Sequence, residues 1–476
     1  MTALLVAEQV AVFAAGLLVH PASLTLHAGR PFTILGETGS GKSLLAQAIM
    51  GTLPRGLRAG GRVTIDDRRL DLGTGQGHRA LWGRTIGVLP QEPWLALDPT
   101  MRAQEQVAEG YRLVRRLPAG EAQTRAQADL AALGLGGAGG KLPSELSGGM
   151  AQRVAFAAAR AGGARIVIAD EPTKGLDVQR RDDVIALLLK EVEDGGGLLT
   201  ITHDLELARR MGGDVAVVLE GRIIEQGPAA QVLGAPRHDY TKRLIAADPA
   251  AWPERRATAR RETAAAPVLS AAGLGKTRGG QLLFSDRDLI VHPGEIVGIT
   301  GPSGCGKSTF GDILLGLVQP DAGTVTRAEG VARVRFQKLY QDPPAAFPQR
   351  VSIRRALGDL VRLHGLDAGR IAPLLGRLRL SPDLLDRLPS QVSGGELQRF
   401  ALLRVLLLDP VFLFADEPTS RLDLITQQET VELLTEVARE RNCAVLIVSH
   451  DTELVRKISD RRIAFGGRPD TAALAA

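Results

Sequence analysis

Cysteine is nearly missing: two residues, Cys305 and Cys443, lie far apart in a chain of 476. A disulfide framework and every zinc or iron–sulfur site built on several cysteines are thereby excluded, and a reducing, cytosolic setting follows. Long apolar runs are missing as well. No stretch reaches the roughly 18 residues that a membrane-crossing helix needs, so in any membrane process the spanning part is another polypeptide. Charge of one sign does not dominate either, with 58 Lys and Arg against 53 Asp and Glu. A net charge of +5 makes no case for nucleic-acid binding by bulk electrostatics. The opening MTALLVAEQVAVF has no basic n-region and carries Glu8 early, unlike a signal peptide. The length exceeds what one core can serve and suits two or three domains.

What the chain does have is a glycine-spaced loop written twice. Gly36 to Ser43 reads GETGSGKS, after the apolar, β-prone PFTIL and before the helical LLAQAIM. Gly301 to Ser308 reads GPSGCGKS in the same setting, with Lys307 lying 265 residues after Lys42. Glycines at this spacing let backbone N–H groups turn inward on a phosphate chain, and the following helix adds the positive end of its dipole. Lys42 is placed to reach the β- and γ-phosphates and Ser43 to ligate Mg²⁺. Cys305, inside the second loop, reads as a space-filling residue.

The repeat extends beyond the loops. Each copy continues with a Gln close to a Pro (Gln91, Gln341), a Ser-Gly-Gly (Ser147, Ser393), an apolar strand ending in Asp-Glu-Pro (Asp170 and Glu171, Asp416 and Glu417) and a His-Asp pair (His203, His450). The Ser-to-Asp interval is 23 residues in both, 147 to 170 and 393 to 416. The Lys-to-Ser interval is 105 in the first copy (42 to 147) and 86 in the second (307 to 393). Most of that shortening falls between Lys and Gln, where the first copy holds RVTIDDRRLDLGTGQGHRALWGRTIGVLPQ and the second only TVTRAEGVARVRFQKLYQ. A trimmed β-subdomain in the second copy is expected. Between Gln and Ser-Gly-Gly both copies turn Arg-, Leu- and Ala-rich with helical spacing, which predicts a small helical subdomain in each. The join, PAAWPERRATARRETAAAP, reads as an exposed linker by its Pro, Ala and charge content.

IVIADEP and VFLFADEP are buried-strand patterns with acids at the C-terminal edge, where α/β folds bind ligands. Asp170 and Asp416 are placed to hold Mg²⁺ through its water shell. Glu171 and Glu417 follow at once, where a carboxylate can polarise the water attacking a γ-phosphate.

LSGGMAQR (Leu146 to Arg153) and VSGGELQR (Val392 to Arg399) are similar to the signature motif of ABC ATPases. With Gln91 and Gln341 resembling Q-loops, PTKGLD and PTSRLD resembling D-loops, and His203 and His450 resembling switch histidines, the likeness covers nearly the whole chain. It implies an α/β fold of two P-loop NTPase ABC cassettes in tandem, each a RecA-like core with an antiparallel β-subdomain and a helical signature subdomain. The first cassette is expected over 1–248 (helical part about 96–150), the linker over 249–267, and the second cassette over 268–476 (helical part about 344–396).

The resemblance implies ATP and Mg²⁺ as cofactors. ATP would be held by Gly36, Glu37, Thr38, Gly39, Ser40, Gly41, Lys42 and Ser43, and by Gly301, Pro302, Ser303, Gly304, Cys305, Gly306, Lys307, Ser308 and Thr309. Mg²⁺ would be held by Ser43, Gln91 and Asp170, and by Ser308, Gln341 and Asp416; Glu171, His203, Glu417 and His450 would be catalytic. The signature groups are Ser147, Gly148 and Gly149, and Ser393, Gly394 and Gly395. The family's head-to-tail geometry implies composite sites pairing Lys42 with Ser393 and Lys307 with Ser147. An aromatic about 29 residues before the loop lysine stacks on adenine in such cassettes; Phe13 fits, whereas the second copy has Arg278 there.

Soluble twin-cassette proteins of ribosomes resemble this chain less, since they carry a long charged helical linker. Coiled-coil repair ATPases need a long heptad region, and excision-repair relatives need zinc cysteines. Within importers, the first half is similar to the first ATPase of peptide and nickel systems, with Leu44 where many cassettes have Thr and Asp239 where Pro is usual. The second half, with RLDLITQQ, resembles the partner ATPase but runs only briefly past His450. An energy-coupling ATPase for import of dipeptides, oligopeptides, nickel or metal chelates is implied, peripheral on the cytoplasmic face of the membrane. Its partners would be two transmembrane permease subunits and, through them, an extracytoplasmic binding protein; no nucleic acid is implied. A soluble twin-cassette ATPase without a membrane partner is the alternative.

Overall fold

The computed structural model describes residues 2–74, 77–90, 96–173, 178–253, 266–302, 304–419 and 422–465. Contacts divide the chain into two compact units, Met1–Ile245 and Ala246–Ala476. The start of the proline-broken join is folded onto the second unit. Pro249–Ala251 forms a 3-10 turn capped by Asp248, whose Oδ1 accepts from Ala250 N at 3.0 Å. Trp252 packs on that unit's core, and Lys457 donates to its carbonyl. An aspartate cap and a proline at the first turn position are order signals that a composition reading averages away. Residues 254–265 of the join lie outside the described residues.

The first unit's ten described strands are β1 (Ala3–Phe13), β2 (Leu17–His27), β3 (Phe32–Leu35), β4 (Arg58–Ile65), β5 (Arg68–Asp71), β6 (Ile86–Leu89), β7 (Ile166–Asp170), β8 (Gly197–Thr202), β9 (Asp214–Leu219) and β10 (Arg222–Pro228). They make an antiparallel sheet of order β2-β1-β4-β5 and a sheet of order β10-β9-β3-β8-β7-β6 that is parallel except for the edge strand β10. The second unit has β11 (Leu269–Arg278), β12 (Gln281–Val291), β13 (Ile296–Thr300), β14 (Ala322–Arg327), β15 (Phe336–Leu339), β16 (Phe412–Asp416), β17 (Ala444–Val448) and β18 (Arg461–Ala464). Its antiparallel sheet runs β12-β11-β14 and its parallel sheet β15-β16-β17-β13-β18. The shorter second copy is explained at β5: in the first unit β4 and β5 form a hairpin turned at Asp66 and Asp67, both with positive φ (45° and 62°) as a tight hairpin requires. Among the described residues β14 has no such partner strand.

Because successive strand residues point to opposite faces, a central strand covered on both sides must be apolar throughout. In β7, Ile166 and Ile168 join the core shared with the antiparallel sheet and the helix Lys42–Met50. Val167 and Ala169 join the core of the helices Ala103–Glu109, Ala119–Ala132 and Gly148–Ala161. The division recurs in β16, with Phe412 and Phe414 on one side, Leu413 and Ala415 on the other. The second unit's helical part includes Ile353–His364, Ile371–Arg377 and Gly394–Leu407. Among the described residues no helix is long and apolar enough to cross a membrane.

One packing solution differs between the copies. Gly311, inside the helix Lys307–Leu315, faces the buried Phe414 ring so closely that a Cβ would lie 2.2 Å from ring carbons. The matching positions of the first unit hold Ala46 and Ile168, both in one core. Gly311→Ala is expected to destabilise the chain by about 1–3 kcal/mol through overpacking, and Gly311→Ala with Phe414→Ile to recover most of it. Denaturant midpoints check both; a neutral single change contradicts the packing argument.

Candidate functional site

Each phosphate loop leaves the C-terminal end of a central parallel strand, β3 or β13, and enters a helix that begins at its lysine. The residue before the lysine is left-handed, Gly41 with φ 97° and Gly306 with φ 95°. A side chain would be strained there, and at Gly306 a Cβ would lie 2.9 Å from Leu283 Cβ. Lys42 Nζ donates to Glu37 O at 2.6 Å, and Lys307 Nζ donates to Gly301 O and Pro302 O, both at 2.8 Å. Each buried lysine thus folds across its own loop. Ser40 Oγ is buried in the first loop with no hydrogen-bond partner among the described residues, a polar group suited to a polar ligand. Cys305 packs partly buried against the second unit's core. Ser303 lies outside the described residues, and Thr309 sits in the first turn of its helix.

Ser43 Oγ donates to Asp170 Oδ1 at 3.4 Å, and Ser308 Oγ to Asp416 Oδ1 at 2.9 Å. A hydroxyl and a carboxylate brought together at the loop are hard oxygen donors, the kind Mg²⁺ takes alongside phosphate and water. The residues present therefore fit that ion. Asp416 is buried, and burial pushes its carboxyl above the usual range against the opposing pull of Lys338 and Ser308. Gln341 Nε2 donates to Glu417 Oε2 at 2.6 Å, while Gln91 lies outside the described residues.

Glu171 and Glu417 stand in left-handed backbone, φ 48° and 47°. That conformation costs a non-glycine residue on the order of 1–3 kcal/mol. It is held because Glu171 N donates to Ile201 O at 2.8 Å and Glu417 N to Val448 O at 2.9 Å, so the neighbouring strand fixes the turn. The result brings each carboxylate to its histidine: His203 Nδ1 lies 2.7 Å from Glu171 Oε1, and His450 Nε2 lies 2.7 Å from Glu417 Oε1. Thr202 Oγ1 donates to Glu171 Oε2 at 3.1 Å.

Ser147 and Ser393 cap the helices Gly148–Ala161 and Gly394–Leu407, accepting from Met150 N at 3.4 Å and Glu396 N at 3.3 Å. Gly148, Gly149, Gly394 and Gly395 open those helices, where backbone N–H groups favour an anion. Two residues missed in the sequence tie these helices to the acids. Gln152 Nε2 donates to Pro172 O at 2.7 Å and Gln398 Nε2 to Pro418 O at 3.0 Å, both buried. Their shared place in MAQR and ELQR was the available signal. Phe13 ends β1, 38% exposed and paired with Leu17 of the strand whose Val19 abuts Gly41. Arg278 ends β11, exposed and paired with Gln281. Of the D-loop stretches, 174–177 and 420–421 lie outside the described residues.

A phosphate loop, a strand-end acid pair, a histidine on the second acid and a Ser-capped Gly-Gly helix, present in both units, define a nucleotide-hydrolysing cassette. The chain belongs to the ABC transporter family, whose pattern matches residues 19–174 and 284–420. It is 31% identical to the peptidoglycan transport ATP-binding protein YejF of Agrobacterium fabrum, across 94% of this chain and 87% of that protein. It is 32% identical to the glutathione import ATP-binding protein GsiA of Escherichia coli (strain K12), across 93% of this chain and 81% of that one. Among solved structures an RNase-L inhibitor is similar in fold, with a TM-score of 0.66 at 22% identity, covering 97% of this chain and 88% of that one. The fold is two ABC cassettes in tandem, and the protein is an ATPase.

The buried acid has a pH consequence. With its pKa raised in the fold, Asp416 binds its proton more tightly folded than unfolded, so ionisation costs stability above the folded pKa. Asp416→Asn is expected to melt at a higher temperature than the parent at pH 7. The advantage should shrink toward zero as the pH falls to about 4, where the unfolded acid also protonates. Melts between those limits check this; an advantage independent of pH contradicts it.

Proposed function

We propose that this ATPase is the energy-coupling component of an importer for peptides or peptide-containing cargo. The observation that carries the reading is the match, at 31–32% identity over more than nine-tenths of the chain, to proteins named for peptidoglycan transport and glutathione import. Glutathione is a tripeptide and peptidoglycan contains peptide, which supports the peptide half of the expected substrate range over nickel or metal chelates. The likeness to the RNase-L inhibitor, at 22% identity, bears on fold alone.

In this reading the loops around Lys42 and Lys307 bind ATP, and Phe13 stacks on adenine in the first cassette. Ser43 with Asp170, and Ser308 with Asp416, would hold Mg²⁺, which supplies charge neutralisation on the β- and γ-phosphates. Glu171 and Glu417 orient and deprotonate the attacking water, and His203 and His450, 2.7 Å away, hold those carboxylates. ATP then acts as the ligand of one global state and its hydrolysis releases that state, so transport follows a population shift. The chain works at the cytoplasmic face of the membrane, docked on two permease subunits that receive cargo from a binding protein.

The test is ATPase activity of the full chain reconstituted with its own permease subunits in liposomes. Glu171→Gln and Glu417→Gln are each expected to lower turnover about 100-fold or more, and peptide-loaded binding protein to stimulate the parent. Near-parental turnover in Glu417→Gln means the second site is not a working one. Association with ribosomes in place of permeases overturns the import reading.

A further inference from the structure

Beneath the acid at the second phosphate loop lies a charged pair that the first copy lacks. Lys338 of β15 donates from Nζ to Asp312 Oδ1 at 2.7 Å, and the same Nζ lies 3.5 Å from Asp416 Oδ2. The Lys338 side chain is 11% exposed, and its ammonium lies 5.2 Å from the Tyr340 ring centroid and 5.3 Å from that of Phe414. Asp312 is on the helix that the loop opens, so three elements meet at one ammonium. Strand register matches Lys338, opposite Phe414, to Val88, opposite Ile168. Counting from the loop lysines matches Asp312 to Gln47. The first copy therefore has neither charge at these positions.

We propose that Lys338, anchored by Asp312, is a positioning residue that weakens the hold of Asp416 on Mg²⁺ and makes the two ATP sites unequal in their magnesium requirement. The inference rests on the reading of Asp416 as a magnesium-holding group. Asp416 has one oxygen bonded to Ser308 and the other facing the ammonium. A divalent ion arriving there meets an acid already partly neutralised, and a like charge in surroundings where burial limits screening. The matching positions of the first copy, Val88 and Gln47, carry no charge. Groups behind a metal-holding residue change metal affinity by about 10–100-fold, so the pair is sufficient to separate the sites. The aromatic rings shield the ammonium and keep it off solvent, leaving the two carboxylates as its polar partners among the described contacts.

The experiment isolates one site at a time in the full chain and reads nucleotide binding without turnover. With Lys42→Ala silencing the first loop, a fluorescent non-hydrolysable ATP analogue is bound at the second, and free Mg²⁺ is titrated from an EDTA baseline. Lys338→Val with Asp312→Gln, which installs the first copy's residues, is expected to lower the Mg²⁺ midpoint about tenfold while binding in EDTA stays unchanged. Lys338→Arg should keep the parental midpoint. In the Lys307→Ala background, Val88→Lys with Gln47→Asp should raise the first site's midpoint by a similar factor, so the proposal does not depend on one variant folding. Midpoints unmoved in both exchanges overturn the proposal. If Asp416→Asn also leaves the midpoint unmoved, the reading of Asp416 as a magnesium-holding group fails with it.

Discussion

A parallel strand covered on both faces has one place for polar chemistry, its C-terminal edge, and the rest of each cassette is arranged around that limit. β7 and β16 are apolar to Ala169 and Ala415, then present Asp170 with Glu171 and Asp416 with Glu417. The phosphate loop leaves the neighbouring region at the same edge, so its serine reaches the first acid. The second acid is turned out of line by a left-handed backbone, which the adjacent strand's carbonyl holds, and so meets the histidine. Strain of this kind persists only where the surroundings over-determine it. Here the surroundings are β8 in one copy and β17 in the other.

The same plan occurs twice in the chain, and the copies differ in ways that the plan tolerates. Among its described residues the second has no equivalent of the β4–β5 hairpin, which forms the rim of the first unit's antiparallel sheet. It holds Gly311 and Phe414 where the first holds Ala46 and Ile168, keeping the volume between helix and strand filled. It also carries Lys338, paired with Asp312, next to Asp416. The first difference shortens a sheet and the second conserves packing. The third alters the electrostatics of the site itself.

The parts of the site that were legible in the sequence are those where chemistry fixes both residue type and spacing. The phosphate loops, the Asp-Glu pairs, the histidines and the Ser-Gly-Gly helices were all readable, since each needs a particular group at a particular offset. The α/β fold of two tandem cassettes was what the family resemblance of those motifs implied. What escaped depends on contacts distant in the chain. A glutamate in left-handed backbone has no local signature, because a strand 30 or so residues away imposes it. Lys338 and Asp312, 26 residues apart, become a pair only where the helix Lys307–Leu315 packs on β15, although KLYQ set beside VLPQ shows the odd lysine. The fold of Pro249 to Trp252 on the second unit was hidden by a composition that, averaged over 249–267, reads as linker.

The central claim is that both loops bind nucleotide within one chain. Equilibrium binding of a non-hydrolysable ATP analogue, counted per chain in the presence of Mg²⁺, addresses it most directly. The account predicts two sites in the parent protein and one in each of Lys42→Ala and Lys307→Ala. A single site in the parent, abolished by one of those changes and untouched by the other, would contradict it.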